Sequence, residues 1–205
     1  MAEQTTNTCT YREAKDFVMT AAHTPNPKTK LPSGAQQNVW MCLMSAPNDN
    51  YNEVYPNIIL GDYKYAKDPD KLQELGVTHV INCACGKKYN MIDTSQDYFQ
   101  ASGIKFHGIA ATDIMTFKMT PHFEAAVNFL KEALESGGKV YVHCMSGVSR
   151  STTIVIAYLL SVKGVPLMTA LKMIRDKRKI MPNDGFLKEL VTYNNSLFGG
   201  DATDE

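Results

Sequence analysis

His143-Cys144-Met145-Ser146-Gly147-Val148-Ser149-Arg150-Ser151 is the stretch from which the fold can be read. Before it, Lys139-Val140-Tyr141-Val142 alternates as a buried strand does. After it, Ser149-Arg-Ser-Thr-Thr-Ile-Val-Ile-Ala-Tyr-Leu-Leu160 is long enough for a helix, with Ser149 as its cap. A cysteine and an arginine therefore close a short loop between strand and helix. The backbone N–H groups of such a loop converge with the first helical turn on one point and bind an anion there. The same field favours the thiolate of Cys144, and Arg150 can grip two oxygens of a tetrahedral anion in a bidentate fork. Phosphate fits these groups, so the stretch predicts a cysteine-dependent phosphatase with Cys144 as nucleophile. A lone cysteine after a strand is ordinarily an inert small hydrophobe. The joint pattern of His-Cys, an intervening glycine and Arg-Ser is far rarer and carries the functional reading. His143 is expected to hold the loop and favour the thiolate, not to act as a base.

The rest of the chain narrows the class. Its 205 residues suffice for one domain with a real core, and 44% apolar and 20% charged residues are an ordinary globular mix. A formal net charge of zero gives no nucleic-acid footprint, so no nucleic-acid partner is expected. Residues 1–8 are polar and lack the apolar core of a signal peptide, and the apolar run 152–162 is too short to span a bilayer. Five cysteines without zinc-ligand spacing suit a reducing compartment, and Cys83-Ala84-Cys85 has neither metal nor thioredoxin-like spacing. The expectation is a cytoplasmic or nuclear protein without membrane partner, metal or cofactor, monomeric or homodimeric.

Along the chain, a short helix is expected over 10–20, capped by Thr10, then a Pro- and Lys-rich loop over 24–37. A strand near 53–62 opens the compact domain, a helix follows over 67–75, and strands over 79–84 and 105–109. Residues 110–115 form a loop, and 121–136 an amphipathic helix with Phe123, Ala126, Val127, Leu130 and Leu134 on one face. Helices over 166–179 and 183–197 complete an α/β domain with a mostly parallel central sheet flanked by helices. Ligands of such sheets bind at the carboxyl ends of the strands, where the Cys144 loop falls. The division expected is an extension over 1–51, a catalytic domain over 52–198 and a tail over 199–205.

Displacing an alcohol or phenol from phosphorus requires a proton donor for the leaving oxygen. Asp113 lies in a loop at the carboxyl end of a strand, on the rim shared with Cys144, and Met115 and Phe117 are near enough in sequence to desolvate it. Asp62, Asp93 and Asp97 are rivals that follow no strand so directly.

The loop, the upstream Asp113 and Ile180-Met-Pro-Asn-Asp-Gly-Phe-Leu187 resemble the dual-specificity members of the cysteine-dependent protein tyrosine phosphatase superfamily. Asn52-Glu-Val-Tyr-Pro56, Leu75-Gly-Val-Thr-His-Val-Ile-Asn82 and the extra N-terminal helix are similar to the atypical members of the VHR type. The resemblance implies a protein tyrosine phosphatase-like fold and hydrolysis of phosphotyrosine and phosphoserine or phosphothreonine through a phosphocysteine. It also implies phosphorylated proteins, and kinases of a signalling cascade, as partners. Phosphatase action on an RNA 5′-phosphate or sugar phosphate, and non-catalytic phosphoprotein binding, are the alternatives. By the same resemblance Cys144 attacks phosphorus, Asp113 protonates the leaving oxygen and later activates water, and Ser151 aids departure of the thiolate. Arg150 and the amides of Met145, Ser146, Gly147, Val148 and Ser149 hold the phosphate. Asn183 matches a position that braces the site, though a helix cap explains it equally well. Arg178, and less closely Arg175, match a basic region that binds a second phosphate. Cys83 matches a cysteine that resolves oxidation of the nucleophile in lipid-phosphatase relatives, with Cys85 its neighbour. Ser146 stands where VHR-type enzymes often carry an acidic residue, and no lysines flank the loop in sequence, which argues against phosphoinositides.

Overall fold

The computed structural model describes residues 7–20 and 47–199. Five strands form one sheet: β1 (Tyr51–Tyr55), β2 (Ile58–Gly61), β3 (His79–Asn82), β4 (Lys105–Gly108) and β5 (Val140–His143), in the order β1-β2-β5-β3-β4. All pairings are parallel except β1 with β2. The single strand expected near 53–62 is therefore a hairpin. Pro56 lacks a donor to continue the ladder, and Asn57 turns the chain with φ of 61°, a left-handed conformation that asparagine tolerates.

Every residue of β2, β3 and β5 is buried, which is the pattern of strands covered on both faces. Their side chains alternate between two cores. Ile58, Leu60, Ile81, Val140 and Val142 face a large helical cluster, while Ile59, Val80 and Tyr141 face a smaller one with Leu72, Phe99 and Ile104. Among the described residues the α-helices are α1 (Tyr11–Thr20), α2 (Tyr63–Ala66), α3 (Pro69–Glu74), α4 (Phe123–Glu135), α5 (Arg150–Ser161), α6 (Leu167–Arg175) and α7 (Asp184–Phe198). Residues 150–160 of α5 are all buried because α4, α6, α7 and the sheet surround this helix. No described helix is long and apolar enough to cross a membrane.

The N-terminal helix starts as its sequence dictates. Thr10 Oγ1 accepts from the Glu13 N–H at 3.2 Å and Glu13 Oε2 accepts from the Thr10 N–H at 2.7 Å, a reciprocal capping box. Elsewhere boundaries moved. The helix expected over 67–75 begins only at Pro69, because Asp68 accepts from the Lys71 N–H and caps it, and α2 precedes it under Asp62. The helix expected over 166–179 ends at Arg175, and the chain then turns beneath the Cys144 loop. The loop over 24–37 and tail residues 200–205 lie outside the described residues.

Candidate active site

β5 ends at His143 and α5 begins at Arg150, so the loop between them sits at the carboxyl edge of the sheet, level with β2 and β3. Its carbonyls from Met145 to Val148 turn outward. The Met145 carbonyl accepts from the Tyr63 N–H at 3.2 Å and that of Val148 from the Met181 N–H at 2.9 Å. Arg178 Nη2 and Nε donate to the carbonyls of Ser146 and Gly147, each at 2.9 Å. In a trans peptide the next N–H points opposite to the C=O. The N–H groups of Ser146, Gly147, Val148 and Ser149 consequently point inward and form the anion cradle. Gly147 is required here: its φ is 65°, and a Cβ would lie 2.3 Å from the Gly61 carbonyl oxygen.

Cys144 lies at the floor of the cradle, 2% exposed. Burial pushes its thiol pKa up, but the Arg150 charge, the Ser151 hydroxyl and the N–H groups of Ser151 and Val148 outweigh it, leaving the pKa below its usual value. Ser151 Oγ donates to the sulfur at 3.3 Å. His143, wholly buried, has its pKa pushed down to about 4 by desolvation, so it is neutral near pH 7. Its Nδ1 lies 3.2 Å from the Cys144 carbonyl oxygen, a contact that fixes the ring beside the loop.

Arg150 is 1% exposed. Its Nη1 donates to the carbonyls of Asn90 at 3.1 Å and Ala111 at 3.0 Å, which holds the guanidinium plane. Nε has no hydrogen-bond partner and lies 3.6 Å from Asp113 Oδ2. Asp113 Oδ1 accepts from Ser149 Oγ at 2.8 Å and from Asn183 Nδ2 at 2.9 Å. Asn183 is thus brace and cap together, since its Oδ1 also accepts from the Phe186 N–H at 3.1 Å. Ser149 stands at the cap position of α5 but makes no side-chain capping bond. Its hydroxyl is taken by Asp113 and by the Asn183 N–H.

The fold draws Cys144, Arg150, Ser151, Asp113, Ser149, His143 and Asn183 around one point, and it corrects three expectations. Arg178 is not free to meet a second phosphate. It is 3% exposed, and besides the two loop carbonyls its Nη1 donates to the Asp49 carbonyl at 3.0 Å and to Asn52 Oδ1 at 2.8 Å. Arg175 likewise turns inward, with Nη1 donating to the carbonyls of Phe17 and Val18 of α1. Met115 and Phe117 do not desolvate Asp113. Met115 is 64% exposed, and Phe117 stacks on His122 and meets Phe186 edge-on. The sequence places no lysines beside the loop, but the fold brings Lys67 and Lys87 to a cleft of about 360 Å³ that shares Met145 and Tyr63 with the site.

Of the two paired cysteines, Cys83 is the neighbour of the nucleophile. Its N–H donates to the His143 carbonyl at 2.8 Å, and burial, followed by the Cys144 charge, pushes its thiol pKa well up. Cys85 turns away, its Sγ donating to the Thr94 carbonyl at 3.4 Å. Of the rival aspartates, Asp62 caps α2, Asp93, 66% exposed, faces Lys87, and Asp97 opens the 3-10 turn Asp97–Ser102. Among the described residues no group of three or more His, Cys, Asp or Glu is placed to hold a metal.

Two kinds of participant escaped the sequence. The carbonyls of Asn90 and Ala111 have no signature in side-chain letters. Gly185, second residue of α7, did leave one: glycine is a poorer helix former than alanine, so its presence in the first turn calls for a steric reason.

The catalytic-domain model of the dual specificity phosphatases matches residues 58–196. Dual specificity protein phosphatase 13B of Mus musculus is 37% identical over 163 residues, covering 79% of this chain and 81% of its own. Dual specificity protein phosphatase 26 of Bos taurus is 38% identical over 150 residues, covering 73% and 69%. The crystal structure of human DUSP28 superposes with a TM-score of 0.62 at 24% identity, over 73% of this chain and 95% of that one, a likeness of fold.

Proposed function

The chain belongs to the dual specificity phosphatases, and from that premise we propose that Cys144, Arg150, Asp113 and Ser151 carry out its chemistry. It is a protein phosphatase, a phosphoric monoester hydrolase acting on phosphorylated proteins. The observation that carries the residue assignment is the position of the Cys144 sulfur. It sits beneath inward N–H groups with its pKa lowered, and the open Nε edge of Arg150 and the Asp113 carboxyl lie on the same rim.

The substrate phosphate enters the cradle, where the loop N–H groups and Arg150 hold its non-bridging oxygens and stabilise the charge that develops. The Cys144 sulfur forms a bond to phosphorus as the bond to the leaving oxygen breaks, and protonated Asp113 gives its proton to that oxygen. Asp113, now a carboxylate, takes a proton from water as the water oxygen attacks phosphorus. The P–S bond breaks and the Ser151 hydroxyl, which already donates to the sulfur, stabilises the departing thiolate. Ser149 and Asn183 hold Asp113 at the rim between these steps.

The substrates are phosphotyrosine and phosphoserine or phosphothreonine side chains, in proteins of kinase cascades in the cytoplasm or nucleus. The four described cysteines, Cys9, Cys83, Cys85 and Cys144, are free, which suits a reducing compartment. The domain is short, without an insert that would deepen the pocket, so the shorter phosphothreonine reaches the sulfur. A phosphopeptide panel tests this: phosphotyrosine and phosphothreonine peptides are both expected to be hydrolysed. Turnover of phosphotyrosine alone would make the enzyme tyrosine-specific, and turnover of RNA 5′-phosphates or sugar phosphates in place of peptides would overturn the protein-substrate reading.

A further inference from the structure

The first two turns of α7 hold the segment carrying Asp113 at both ends. At one end Asn183 Nδ2 donates to Asp113 Oδ1 at 2.9 Å. At the other, Glu189 Oε2 accepts from the Thr120 N–H at 2.6 Å and from the Thr120 hydroxyl. Between these points Gly185 faces the backbone of the segment. A Cβ there would lie 2.1 Å from the Met115 carbonyl oxygen, 2.8 Å from its carbon and 2.9 Å from Cα, separations that real Cβ atoms essentially never show. The backbone of Gly185 is outside the left-handed region, so what forbids a side chain is this contact alone.

An added methyl would have to move one partner. α7 is pinned: Phe186 and Leu187 are buried in the core, and Asp184 is held by Lys15 Nζ of α1 at 2.8 Å. The facing segment is looser, with Ile114 50% and Met115 64% exposed. The displacement therefore falls on the segment that carries the acid, two residues from Asp113.

We propose that Gly185 is a positioning residue for the general acid: its missing side chain lets α7 seat the Asp113 segment so that the carboxyl meets the leaving oxygen, with α1 as backstop through the Lys15–Asp184 pair. This rests on the reading of Asp113 as the acid. An error of about 1 Å in a catalytic group costs roughly a hundredfold, whereas the loop N–H groups that hold phosphate lie outside the segment, and Arg150 meets it only upstream of Met115, at the Ala111 carbonyl and Asp113.

The test compares wild type, Gly185→Ala, Asp113→Asn and the double variant on aryl phosphates whose phenols range from good to poor leaving groups. Gly185→Ala is expected to lose roughly ten- to a hundredfold in kcat with poor leaving groups and less than about threefold with good ones. Vanadate affinity should stay within about twofold, and the double variant should match Asp113→Asn alone. Equal losses on all leaving groups, or additive losses in the double variant, would overturn the positioning role. If Asp113→Asn itself showed no leaving-group dependence, the acid assignment would fail first. Asp113→Asn selective with Gly185→Ala uniform would sink only the proposal. Should Gly185→Ala not fold, Glu189→Gln weakens the far clamp and should give a leaving-group-selective loss of about threefold to tenfold, and a uniform loss or none would overturn it.

Discussion

Cys144→Ser is expected to abolish hydrolysis, with kcat falling by roughly four to six orders of magnitude, as it does when an activated nucleophile is removed. A serine hydroxyl in the same cradle stays protonated at pH 7, because groups that suffice to lower a thiol pKa are far from sufficient for an alcohol. Vanadate and inorganic phosphate should still bind with affinity within about tenfold of wild type, since the donors are Arg150 and backbone N–H groups that the substitution leaves in place. Steady-state turnover and equilibrium vanadate binding read the two halves separately. Residual activity above about a hundredth of wild type would remove Cys144 from the nucleophile's role.

Asp113→Asn carries the second-largest effect. The amide keeps the shape of the carboxyl and can still accept from Ser149 and Asn183, so the fold at the rim should survive. It has no proton of suitable acidity for the leaving oxygen. With an alkyl leaving group such as that of phosphothreonine the rate should fall by roughly two to four orders, and with a phenol that departs without protonation by much less. The measurement is kcat against leaving-group pKa, and the variant should show the steeper dependence. Parallel lines for wild type and variant would make Asp113 structural.

What was legible in the chain was local. The β5-loop-α5 unit could be read because strand, glycine-bearing loop and helix follow one another without interruption. Asp113 could be read because it follows a strand at the same rim. The hairpin of β1 and β2 was passed over although Pro56-Asn57 marks a turn, since Ile58-Ile59-Leu60 reads as a continuation of one strand. Residues whose partners are distant in sequence were misread. Ser149 has the right residue type and position for a cap, but Asp113 and the Asn183 N–H compete for its hydroxyl and win. Arg178 lies in the charged run Arg175-Asp-Lys-Arg-Lys179, and nothing local distinguishes the cation that is buried from those that are solvated. Its burial is satisfied by carbonyls of Ser146, Gly147 and Asp49, and carbonyls leave no trace in side-chain patterns. Helix α5, buried from Arg150 to Leu160, has the same lesson: packed on every side, it shows no apolar stripe, and its length, with Ser149 read as a cap, identified it.

The claim on which the rest depends is that the phosphoryl group passes through the Cys144 sulfur. Quenching the enzyme in alkaline denaturant, where a P–S bond persists, during turnover of a phosphotyrosine substrate, followed by mass spectrometry of the peptides, reads this directly. One phosphoryl group on the peptide containing Cys144, absent in Cys144→Ser, is the predicted result. A phosphoryl group on another residue, or full turnover under the same quench with none bound to the enzyme, would contradict the account.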